Sequence, residues 1–76
     1  MTAPIELLAQ TRNNGRERLT VRWVESDGFH RLEIGIERCD GGQWRRSHFV
    51  STDPGEVFRL HDAIGMATWL ARQVQR

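Results

Sequence analysis

Apolar and polar residues alternate along the first two-thirds of this chain, and the period changes near its end. From Glu17 to Glu25, Leu19, Val21 and Trp23 fall on one side and Thr20 and Arg22 on the other. From His30 to Arg38 the alternation is cleaner, with Leu32, Ile34 and Ile36 opposite Arg31, Glu33, Gly35 and Glu37. A period of two is the mark of a strand with one buried face. The segment 43–52 is mixed, and simple alternation puts Trp44 and Val50 on one side and Arg45 and Phe49 on the other. The segment 5–11 is the weakest strand, because Glu6-Leu7-Leu8-Ala9-Gln10 also suits a turn of helix. Between these runs stand Asn13-Asn14-Gly15, Ser26-Asp27-Gly28 and Asp40-Gly41-Gly42. Asn-Gly, Asp-Gly and Gly-Gly supply the positive φ angles of tight hairpins.

After Thr52 the pattern becomes helical. Asp53 is a good N-cap, Pro54 suits the first helical position, and Glu56 stands three residues after the cap, as in a capping box. Val57, Leu60, Ile64, Thr68 and Ala71 then form one stripe, and no proline stops the helix before about residue 74. The expected fold is α+β: a four-stranded antiparallel β-meander (strands near 5–11, 17–25, 30–38 and 43–52) followed by one C-terminal amphipathic helix, a single domain over 1–76.

Length then limits what that fold can do alone. A domain of 76 residues has a thin core and often gains stability from disulfides, metal or oligomerisation. Cys39 is the single cysteine, so no intrachain disulfide forms, and no Cys/His cluster has zinc-ligand spacing. No metal or other cofactor is expected, which leaves oligomerisation. The helix carries large apolar residues off its main stripe: Phe58, Met66 and Trp69, with Gly65 beside them. Exposed apolar patches mark interfaces. These four residues are the expected homodimer interface, set against an alternative in which Phe58 and Trp69 fold back over the sheet edge.

Charge changes the picture of the sheet. The net charge is only +1, yet all 11 basic residues are arginine. Biased base composition in the coding sequence explains that preference, and arginine also suits planar contact with phosphate. If the helix covers the Leu19/Val21/Trp23 and Leu32/Ile34/Ile36 face, the opposite face shows Arg22, Arg31 and Arg45 around Phe49, with Arg16, Arg18 and Arg46 near the same strands. Cations interleaved with an aromatic on a strand surface suit single-stranded nucleic acid, DNA or RNA, although Glu33 and Glu37 on that face repel phosphate.

Leu19-Thr20-Val21-Arg22, then Leu32-Glu33-Ile34-Gly35-Ile36-Glu37-Arg38, then Val50-Ser51-Thr52-Asp53-Pro54 with Phe58 shortly after, resemble in order the single-stranded-DNA-binding transcriptional coactivators of the positive-cofactor-four type and their short bacterial relatives. The resemblance spans about Ile5 to Ala71. It implies four antiparallel strands, dimerisation through the helix, and a role as a transcription or replication accessory factor. It places Arg22, Arg45 and Arg46 near phosphate-contacting positions, with Trp44 and Phe49 as stacking candidates. Two elements depart from the pattern: Arg45-Arg46 is followed by Ser47-His48 rather than glycine, and Arg38-Cys39 stands where an aromatic pair closes the third strand.

No catalytic residue is expected, and the protein is read as a non-enzyme. Ser47 and His48 are neighbours on a strand and should point to opposite faces. Glu33 and Glu37 are about 13 Å apart by strand rise, too far to act on one bond. His61 falls on the core-facing helical stripe, where a buried imidazole is expected. No run of about 18 apolar residues suggests a membrane span, and the opening residues lack a signal-peptide pattern, so the expected location is the cytoplasm. A second reading of the whole is a protein-interaction module or inhibitor that binds another protein through the helix or a sheet edge.

Overall fold

The computed structural model describes residues 3–75. Four strands, β1 (Ile5–Arg12), β2 (Glu17–Ser26), β3 (Phe29–Asp40) and β4 (Gln43–Thr52), form one antiparallel sheet in the order β1-β2-β3-β4, and a helix, α1 (Pro54–Val74), follows. The meander and the helix match the expected α+β architecture, and the ambiguous first segment is a strand. Its whole length is exposed, as befits an edge. The hairpin turns use the predicted residues: Asp27 and Gly28 have φ of 53° and 80°, and Gly41 and Gly42 have 61° and 81°. Two successive positive φ angles match the right-handed twist of the flanking strands.

Asp53 caps α1. Its carboxylate accepts from the Glu56 backbone N–H at 2.8 Å, and the Glu56 carboxylate accepts from the Asp53 N–H at 3.1 Å. Two otherwise orphaned donors are satisfied by two neighbouring side chains, so this helix start needs no tertiary support.

Pairing fixes which residues share a face. Leu19 faces Ile36, Val21 faces Ile34 and Trp23 faces Leu32. On the flanks, Ile34 faces Val50 and Val21 faces Leu8. One side of the sheet is therefore a continuous apolar surface across all four strands. The helix does not cover it. Val57 and Leu60 are half-buried, and Leu60 lines a shallow groove with Val50 and Thr52 at the end of β4, but every residue from His61 to Gln75 is exposed. The expectation that α1 lies over this face is therefore corrected. The expected burial of His61 fails with it: its side chain is 86% exposed and its nearest polar partner is Asp62.

The consequence is a chain without a closed core. No hydrophobic residue among those described is buried. The molecule measures 41 × 35 × 16 Å with a radius of gyration of 14.6 Å, where a compact chain of this length has about 11 Å. Its accessible surface is 6306 Å², against about 4,800 Å² for a compact protein of 8.8 kDa.

Candidate nucleic-acid interface

The opposite side of the sheet is built from the other strand parity: Arg18, Thr20, Arg22 and Val24 on β2, and Arg31, Glu33, Gly35, Glu37 and Cys39 on β3. β4 joins through a bulge. Ile36 pairs with His48 but Glu37 pairs with Arg46, so Ser47 is the extra residue. The bulge inverts the parity of the first half of β4 relative to the second. Trp44 and Arg46 thereby share a face with Phe49, and Arg45 turns to the apolar side, opposite Arg38. Uninterrupted alternation had put Arg45 with Phe49 and Trp44 with Val50; one inserted residue reverses both pairings.

The bulge has a second effect. Ser47 Oγ and His48 Nδ1 lie 2.9 Å apart, although neighbours on a regular strand point apart. The pair is exposed, on the surface of β4.

Two guanidinium–aromatic stacks occupy the polar face. Arg18 Cζ lies 4.5 Å from the centroid of the Trp44 ring, and Arg46 Cζ lies 4.4 Å from that of Phe49. Each guanidinium is also held by a carboxylate. Glu37 Oε1 accepts from Arg18 Nε at 2.8 Å and from Arg18 Nη2 at 2.6 Å, and Glu37 Oε2 accepts from Arg22 Nη2 at 3.4 Å. Glu33 Oε1 accepts from Arg46 Nη2 at 3.3 Å. Glu37 is buried, one of few polar residues that are. Burial works against its ionisation, but hydrogen bonds and charge from Arg18, with Arg22 adding to them, outweigh that and hold the carboxyl below its ordinary range.

Gly35 lets the stacks sit close to the sheet. A Cβ there would lie 3.1 Å from the His48 carbonyl oxygen, 3.2 Å from Phe49 Cβ and 3.4 Å from Thr20 Oγ1. Any side chain at this position would push Phe49 and β4 outward.

Of the residues expected to contact nucleic acid, Arg22, Arg46, Trp44 and Phe49 come together on this face. Arg31 lies on it as well, opposite Val24 and nearer the far end of the sheet. Arg45 does not. Arg18 is the central guanidinium that the sequence reading placed only nearby, although its parity with Thr20 and Arg22 was a sufficient signal. The interface candidates on α1 are all open: Phe58 is 74% exposed, Met66 64% and Trp69 58%, and a Cβ added to Gly65 would meet nothing within 4 Å. Ile64, Leu70 and Val74 elsewhere on the helix are uncovered as well.

Among the described residues no group of His, Cys, Asp and Glu is arranged to hold a metal ion, and no helix is long and apolar enough to cross a membrane. The fold is thus an antiparallel four-stranded sheet followed by one helix, with an aromatic–arginine face and an uncovered apolar face. Comparison with protein-family models, with curated proteins and with solved structures finds no match to the chain.

Proposed function

We propose that this protein is a homodimer that binds single-stranded nucleic acid, DNA or RNA, with little sequence preference, as an accessory factor in transcription or replication. The observation that carries the reading is the pair of guanidinium–aromatic stacks, Arg18 on Trp44 and Arg46 on Phe49, on one solvent-facing sheet surface. Every base has a π-face, so stacked planar groups take bases without regard to identity, while neighbouring cations take the backbone. The resemblance to coactivators of the positive-cofactor-four type points the same way.

The dimer rests on area. The chain exposes about 1,500 Å² more than a compact protein of its mass, and two such surfaces together fall within the roughly 2,000–5,000 Å² that obligate dimers bury. A second copy covers the apolar sheet face and the length of α1 beyond Leu60.

Fluorescence polarisation of a labelled oligothymidine at low salt tests the binding. Saturable binding is expected, weakened about tenfold or more by Trp44→Ala or Arg46→Ala and little affected by Arg45→Ala, each stacked base being worth roughly 1–3 kcal/mol. No binding at tens of micromolar protein would remove the proposal.

A further inference from the structure

Three of the arginines on the polar face are already matched by carboxylates. Arg18 and Arg22 converge on Glu37, and Arg46 on Glu33. Arg31 makes no ion pair among the described residues. A surface built only to hold phosphate would leave guanidinium edges free, because bidentate contact to an oxyanion uses the N–H edge. Here the Nε/Nη2 edge of Arg18 is taken by Glu37, while the Cζ of the same group lies over Trp44. The side chain keeps 27% of its surface exposed, and that of Arg46 keeps 39%. With Cζ over a ring and N–H groups on a carboxylate, Arg18 and Arg46 offer a phosphate fewer free donors than an unpaired arginine, and their exposed sides remain open to a ligand.

We infer that Glu37, and Glu33 in a lesser degree, are positioning residues that bias this face toward bases over phosphates: each carboxylate holds a guanidinium over its aromatic ring and takes N–H groups that a phosphate would use. This rests on the proposed single-strand binding and names the part of the ligand that the site grips. The register supports it. Arg18, Glu37 and Arg46 stand directly opposite one another across β2, β3 and β4, so the two arginines flank Glu37, and the rings they meet, Trp44 and Phe49, both lie on β4. The carboxylates that repel a phosphate in the sequence reading serve here as the frame of the stacking surface.

The test is a salt titration of the intact protein with two probes: oligothymidine, and an oligomer of the same length made of abasic sugar-phosphate units. The wild type is expected to bind oligothymidine at least about tenfold tighter than the abasic oligomer, as one stacked base suffices to provide. Glu37→Gln frees Arg18 and Arg22 for phosphate. It should steepen the slope of log K against log salt by about 1.4, at about 0.7 per released arginine, and reduce the preference for oligothymidine to less than about threefold. Glu33→Gln, which frees Arg46 alone, should steepen the slope by about 0.7 and serves as the second variant if Glu37→Gln does not fold. A merely structural role would lower both affinities together without changing the slope. Equal wild-type affinity for the two probes, or slopes unmoved in folded variants, would overturn the inference while leaving single-strand binding in place. Failure of the wild type to bind either probe would remove the binding reading itself.

Discussion

The two faces of this sheet satisfy themselves in opposite ways. On one, most charges have a partner in the same copy: Glu37 holds Arg18 and Arg22, Glu33 holds Arg46, and two aromatic rings support two of the guanidinium groups, while Arg31 and Glu6 make no ion pair among the described residues. On the other, Leu8, Val21, Ile34 and Val50 run in register across four strands, and Val50 is 62% exposed. The polar face makes most of its contacts within a single chain. The apolar face is complete only when something covers it. Short-range interactions between neighbouring strands can finish a network of ion pairs, but burying an apolar sheet takes a second layer, and α1 does not supply that layer to its own chain.

The largest test of this contrast is a charge at the centre of the apolar face. Ile34→Asp places a carboxylate between Val21 and Val50, and burying it against a second copy costs several kcal/mol. Loss of the cooperative far-ultraviolet melt and of the dimer is expected. A substitution of the same severity on the opposite surface, Arg31→Asp, should leave both nearly unchanged.

Next in size is Gly35→Val, which tests how tightly the polar face is packed. Its Cβ would press on the His48 carbonyl and on Phe49, so β3 and β4 must part locally at a cost of about 1–3 kcal/mol. Thermal unfolding should show that loss, and the arginine stack on Phe49 should weaken with it.

The smallest effect is one of pH. Glu37 titrates below its ordinary value in the folded protein. A depressed carboxylate adds stability that is fully present above the unfolded pKa, near 4.5, and is lost as pH falls through the lower folded value. Stability measured from pH 6 downward should therefore begin to fall near pH 4.5, and Glu37→Gln should flatten that part of the profile. A variant with an unchanged acid limb would move the origin of the acid sensitivity elsewhere.

Much of this architecture was legible because its signals are local. The alternation in β2 and β3, the Asp27-Gly28 and Gly41-Gly42 turns and the Asp53/Glu56 capping box are each decided by a few adjacent residues, and each stands as expected. The bulge at Ser47 was not legible. Nothing in Arg45-Arg46-Ser47-His48 announces an extra residue, because its cause is the pairing with β3. That one residue moved Trp44 and Arg46 to the Phe49 face, sent Arg45 away and brought Ser47 against His48. Glu37 was read as an obstacle to phosphate because charge alone is visible in a sequence, whereas its bonds to Arg18 and Arg22 are a property of register. The position of α1 was least legible. A helical stripe says that a helix wants cover, not which surface provides it, and here the apolar residues of α1 beyond Leu60 remain uncovered within one chain.

Sedimentation equilibrium across a concentration series, from below one micromolar to several hundred, tests most directly whether a single copy is incomplete. A mass of twice the 8.8 kDa chain over most of that range is expected, with any dissociation accompanied by loss of folded structure. A folded 8.8 kDa species persisting at the highest concentrations would contradict the account, since the apolar sheet face would then be stable in water without a second copy.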